Sequence, residues 1–163
     1  MIKKNLEIED AVILFRNFTG IETQYNRLGD RNFSVRLDEE SALPLIEDGW
    51  NIKPLKPLDE SDPEVHYHLS VKVRFDIVPP TIWLITNGSR SKKTLLNEKT
   101  VSVLDFADIV SADLVIKPYN WNAQGKSGIK AYLKTAYITI EEDRFAAKYA
   151  EEEYPQDDVP FEN

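Results

Sequence analysis

Cysteine is absent from the 163 residues, so no disulfide and no thiolate metal site can be built. Histidine is almost absent: there are two, His66 and His68. There is no run of about 18 apolar residues, which excludes a membrane-spanning helix. The opening MIKKNLEIED has two lysines but no apolar stretch after them, so it does not read as a secretory signal. No internal repeat of about 20–50 residues is visible. No nucleophile–base pair and no recognisable acid/base motif can be found either. These absences predict a cytoplasmic protein that is not an enzyme, has no cofactor, no metal and no membrane partner.

Positive charge is outnumbered as well, and the net charge is −8. The deficit is local. Residues 141–163 carry nine acidic and two basic side chains, a net of −7, which leaves −1 for the first 140 residues. Those 140 residues hold 18 Lys and Arg, free to gather on one face. Blocks of like charge are usually solvated tails used for interaction. The chain therefore divides into a near-neutral body, 1–150, and an acidic tail, 151–163, read as disordered.

What is present is mostly strand. AVILFRNF (11–18) is an apolar, β-branched run, and 19–30 is a loop with Gly20, Asn26 and Gly29. In 31–37 Phe33, Val35 and Leu37 alternate with Ser34 and Arg36. Residues 38–48 suit a short helix opened by Asp38 or Ser41, with Pro44 tolerable only in a first turn, and Gly49 closing it. WNIK (50–53) begins a short strand. The clearest pattern runs from Val65 to Phe75, where apolar residues alternate with His66, His68, Ser70, Lys72 and Arg74. TIWLIT (81–86) is a strand, Asn87-Gly88 a hairpin turn, and RSKKTLL its return. A short helix falls within 98–109. DLVIKPYNW (113–121) is a strand interrupted by Pro118, WNAQGKSG a turn, and 128–140 a long strand. A terminal helix is expected over 141–154. Many strands and few helices predict a mainly β fold, an OB-fold-like β-barrel with one to three short helices.

Binding a single nucleic-acid strand needs cations along the phosphates and flat rings for the bases. The segment 24–36 supplies Tyr25, Arg27, Arg31, Phe33 and Arg36. The long alternating strand adds Lys72 and Arg74. The late turn and strand add Trp121, Lys126, Lys130, Tyr132 and Lys134. Tyr132 stands between two lysines and is hard to place in a core if Ile129, Ala131 and Leu133 face inward. For Phe33 and Trp50 the alternative is a place in the core, and for the lysines a solvated face. The parity of Ile138 and Ile140 matches that of Tyr132, which implies either a bulge between them or partial cover of both faces.

Other signals are weaker. GKSG (125–128) is not a nucleotide-hydrolysis loop, because Asn120 stands where glycine is needed and a strand follows. His66 and His68 share a strand face, but a zinc site would need a third ligand from elsewhere. In the tail, Asp157, Asp158, Val159, Pro160 and Phe161 place one aromatic beside two carboxylates, a pattern that suits an anchor in a partner's pocket with a basic rim.

Three stretches, FRNFTGIETQYNRLGDRNFSV, DGWNIKPLKP and KPYNWNAQGKSGIKAYLKTAYITIEEDRFAAKYA, resemble the single-stranded-DNA-binding proteins of tailed phages. With the spacing between them they cover most of 11–150. The resemblance implies an OB-fold, sequence-independent single-stranded-DNA binding in phage replication and recombination, and no catalysis. DDVPF is similar to the acidic tip with which bacterial single-stranded-DNA-binding proteins recruit replication and repair partners. Those tips usually end at the phenylalanine, whereas Glu162 and Asn163 follow Phe161 here. The bacterial tetramer is not implied, so a homo-oligomer is left open. The rival reading is a non-catalytic protein-interaction module that binds no DNA.

Overall fold

The computed structural model describes residues 4–57, 61, 64–76, 78–87 and 92–141. The expected terminal helix 141–154 lies outside them except for Glu141, which is strand and not helix; the tail, its body boundary at 150/151 and the Gly88 half of the expected hairpin turn also lie outside. Nine strands form one mixed sheet: β1 (Leu6–Ile8), β2 (Val12–Asn17), β3 (Arg31–Asp38), β4 (Ile52–Leu55), β5 (His66–Val73), β6 (Thr81–Asn87), β7 (Lys92–Leu96), β8 (Ile109–Ala123) and β9 (Lys126–Glu141). One α-helix, α1 (Glu39–Asp48), and a 3-10 turn, Val101–Asp105, complete the described elements.

The main path across the sheet is β1-β8-β9-β5-β3-β2. Its two ends curl toward each other, because the Ala11 amide donates to the Ala112 carbonyl of β8 at 2.7 Å. Asp10 donates its amide to the Asp113 carboxylate at 2.9 Å beside it. A mainly β, partly open and curled sheet with one α-helix is consistent with the OB-like fold expected.

Alternation explains the core. Phe33, Val35 and Leu37 of β3 and Leu69, Val71 and Val73 of β5 all point inward and are buried. Phe33 stacks on Phe18 with ring centroids 5.1 Å apart. Burying such a ring contributes roughly 1.5–3 kcal/mol. Trp50 is also core.

Helix α1 begins where the Asp38 carboxylate accepts from the Ser41 amide at 2.8 Å. That bond is the main reason Asp38 titrates below the ordinary carboxylate range. Since Asp38, not Ser41, is the cap, Pro44 falls in the second turn and not the first. Its missing N–H leaves the Glu40 carbonyl without a helical donor, on an exposed side where water can replace it. Gly49 closes the helix at φ 104, a left-handed conformation suited to glycine. The Gly49 carbonyl then accepts from the Ile129 amide at 2.9 Å, which ties the helix end to β9.

Two strands differ from their expected bounds. β8 is not interrupted at Pro118, which sits in the ladder opposite Ala131. β1 covers β8 only at Val115 and its two neighbours, so Pro118 lies beyond the paired part of that edge and no ladder donor is lost there. The turn expected over 121–128 shrinks to Gln124 and Gly125, with φ 53 and 77. Two positive φ values between Ala123 and Lys126 make a type I′ hairpin, the connection whose twist matches the strands.

β9 is the organising strand. It pairs with β8 antiparallel and, on its other edge, with β5 and then β6 in parallel. Val115 pairs with Thr135 and Ile116 with Leu133, so Lys134 is the extra residue of a bulge. The inward set therefore passes from Ile129, Ala131 and Leu133 to Ala136 and Ile138, so of the two explanations the mixed parity allows, the bulge is the one found.

Candidate nucleic-acid interface

Residues paired directly across a ladder share a face. Starting from the outward position Tyr132, the register places Lys117 of β8 on one side and Lys72 of β5 on the other, then Asn32 of β3. One step toward the β8–β9 tip, Tyr119 pairs with Lys130. One step further, Trp121 pairs with Gly128, and then Ala123 with Lys126. Cations and rings thus alternate along one outer face, while their sequence neighbours Ile129, Ala131 and Leu133 hold the core beneath.

The rings brace one another. Tyr119 meets Tyr132 edge-on with centroids 5.8 Å apart. Trp121 lies flush over Gly128: a Cβ added there would sit 2.8 Å from the indole Nε1. Only glycine leaves room for that ring position.

Beside Tyr132 the surface sinks into a groove of about 470 Å³. Five cations line it, Arg27, Arg31, Lys72, Arg74 and Lys130, against the carboxylates of Asp30, Asp76 and Glu98. Positive charge thus outnumbers negative in a chain whose net charge is −8. Each arginine has its own carboxylate: Arg27 with Asp30 at 3.3 Å, Arg31 with Glu98 at 3.6 Å, and Arg74 with Asp76. The Asp76 carboxylate, and after it the Tyr132 phenol, hold Arg74 above its ordinary pKa, so it stays charged. Exposed pairs of this kind are worth little, so a phosphate can compete for the same cations. Among the described residues no ion pair holds Lys72 or Lys130.

The groove brings together six of the twelve predicted binding residues: Arg27, Arg31, Lys72, Arg74, Lys130 and Tyr132. They are not equivalent. The Arg31 side chain is only 18% exposed, donates to the Phe18 carbonyl at 2.8 Å and lies 5.7 Å from the Phe75 ring centre. It is a structural clamp with one side toward the groove. Trp121 and Lys126 continue the same face toward the hairpin tip, and Lys134 stands at the bulge.

The remaining three lie apart. Tyr25, 90% exposed, tops the loop between β2 and β3. That loop is held from within by Asn26, whose amide donates to the carbonyls of Ile21, Arg27 and Asp30 at 2.9–3.1 Å. Arg36 is outward on β3, opposite His68. Phe33 is 1% exposed and belongs to the core, so it offers no face to a base. Its alternation with Ser34 and Arg36 pointed to that placement.

Lys117 and Tyr119 were missed. They stand four and two residues before Trp121, so period two alone would have found them. Reading Pro118 as a break hid the pattern. Of the two tryptophans other than Trp121, Trp50 is core, while Trp83 is half-buried with the Lys93 ammonium 4.4 Å above its ring. His68 Nδ1 is 3.1 Å from the Ser34 hydroxyl, and among the described residues no group of three or more His, Asp or Glu gathers to hold a metal. Among them, too, no helix is long and apolar enough to cross a membrane.

Comparison with known proteins adds a family. Residues 1–161 match the family model described as "Putative phage ssDNA-binding domain". No curated protein matches. Among solved structures, the chain is similar to the single-stranded DNA-binding protein from bacteriophage Enc34 in a C-terminal truncation, at 10% identity and a TM-score of 0.49, over 86% of this chain and 88% of that one. The same phage protein without the truncation gives the same identity and score, over 86% and 83%.

Proposed function

This chain belongs to the phage ssDNA-binding domain family, a family of binding proteins and not of enzymes, and from that premise we propose that it binds single-stranded DNA, without sequence preference, on the outer face of β8, β9 and β5. The observation that carries the placement is the row Lys117–Tyr132–Lys72 beside a groove lined by five cations. Lys72, Lys130 and Lys117, with Arg27 and Arg74, contact phosphates. Tyr132, Tyr119 and Trp121 stack bases. None of these contacts reads a base edge, which fits binding that tolerates any sequence. The acidic segment 141–163 supports a second role. Asp157, Asp158, Val159, Pro160 and Phe161 recruit replication or recombination proteins, in the host cytoplasm.

The test is tryptophan fluorescence during titration with oligothymidylate, at low and moderate salt, repeated by mobility shift. The expected result is saturable binding that weakens as salt rises, because phosphate contacts release counterions. Absence of binding by both methods would overturn the proposal and leave the protein-interaction module in its place.

A further inference from the structure

One aromatic on this same face has no part in the groove. β2 pairs with β3 at Leu14↔Ser34 and resumes at Asn17↔Asn32, so the register slips between them. Inside that irregularity Phe15 has φ 51. A bulky residue in the left-handed region is rare and costs free energy, and such strain clusters at functional positions. Bulges of this kind re-aim a side chain. Here the result is a phenylalanine left 62% exposed, edge-on to the His68 ring at 5.6 Å.

The surroundings of Phe15 resemble those of Tyr132. The register lines up Val12, Arg36, His68 and Lys53 across β2, β3, β5 and β4. Arg36 and Lys53 flank His68, both are exposed, and among the described residues neither is in an ion pair. Burial, and then Lys53, push the His68 pKa below its ordinary value, so at neutral pH His68 is an uncharged ring that buttresses Phe15. Lys72 and His68 share a face of β5 four residues apart, about 13 Å along the strand. Between them on β5 lies only Ser70, which is small and exposed, with buried Ser34 and half-buried Leu14 in the same row. Beyond His68 the face turns acidic, with Asp38 opposite His66 and Glu64 3.5 Å from it.

We propose that Phe15 is a second base-stacking platform, with Arg36 and Lys53 as its phosphate contacts, so that one strand of DNA runs from the Tyr132 groove across the sheet to Phe15. The inference rests on the single-strand-binding reading above and adds where the strand leaves the groove and where its path stops. The occupant is an anion with flat rings, because two cations, in no ion pair among the described residues, flank the His68 ring that the exposed Phe15 meets.

The experiment compares an oligothymidylate of about sixteen nucleotides with one of about four, the span of site sizes known for such folds. Phe15→Gly is the main variant, since glycine accepts the positive φ and keeps the fold while removing the ring. It weakens the long oligonucleotide about tenfold, the scale of one lost base stack, and the short one, which the groove alone holds, by less than about threefold. Phe15→Trp retains long-oligonucleotide affinity and adds a fluorescence signal quenched on binding. Unchanged long-oligonucleotide affinity in Phe15→Gly, or no added quenching in Phe15→Trp, overturns the inference while wild-type binding keeps the groove. If the wild-type chain binds neither oligonucleotide, the single-strand reading falls and takes this one with it.

Discussion

Tyr132 links several parts of the proposed interface. Its phenol lies beside Arg74, its ring meets Tyr119, and its backbone joins β9 to Lys117 and Lys72. Ring and hydroxyl can be separated. Tyr132→Ala is expected to weaken oligothymidylate binding about tenfold or more, the cost of losing one base stack. Tyr132→Phe keeps the ring and is expected to bind within about threefold of wild type, because the phenol makes no phosphate contact in this reading. Equilibrium titration of both variants, with thermal melts to confirm folding, checks the pair. Equal losses in both would assign the effect to the hydroxyl and its arginine. Tyr132 was legible because period two put it outward between two lysines. Phe33 was legible too, but as core: its strand alternated cleanly, and its pairing with basic neighbours in sequence did not survive the pleat. Phe15 could not be found, since nothing in AVILFRNF marks which residue a bulge will turn outward.

At the scale of elements, the β8–β9 hairpin decides how the rings are presented. Its turn is type I′, yet its first residue is Gln124 at φ 53, where asparagine or glycine is far better suited. Gln124→Asn is therefore expected to stabilise the fold by up to about 1 kcal/mol, part of the roughly 1–2 kcal/mol that the left-handed conformation costs most residues. In a chain of this size that raises Tm by up to about 4 °C. DNA affinity should be unchanged, because Gln124 lies past the last ring. A lower Tm would show that the turn is not limiting. Most elements were visible from alternation and from the caps Asp38 and Gly49. The register was not. Only pairing shows that Pro118 is compatible with an unbroken strand, that Lys134 is an extra residue, and that Lys72 neighbours Tyr132 across a parallel contact. Such contacts depend on distant segments: parity hinted at a bulge in β9, but local patterning names neither its extra residue nor the strands alongside.

For the whole molecule the central fact is the segregation of charge. A chain of net −8 presents a groove where cations outnumber carboxylates, and its acidity is concentrated in 141–163. Deleting residues 155–163 is expected to leave single-strand affinity intact or to tighten it by up to about tenfold at low salt, with the difference vanishing at high salt as screening grows. Titrations of the two chains over a salt series check this. A large loss of affinity on deletion would contradict the division into a binding body and a recruiting tail.

The parallel pairing of β9 also sets an order of events during synthesis. Its partners Val71 and Thr81 precede Ala131 and Thr135 by 60 and 54 positions. Contacts so far apart in the chain form slowly, because loop closure comes before any gain from the pairing. β2, β3, β4 and β5 can pair among themselves while the chain is still being made. Lys72 must then wait on an open edge until β9 emerges to supply Tyr132 and Lys130. The nascent chain therefore exposes a sheet edge in need of a strand, a moment at which aggregation competes with folding. It acquires its complete ring-and-cation face only in the last step of its own assembly.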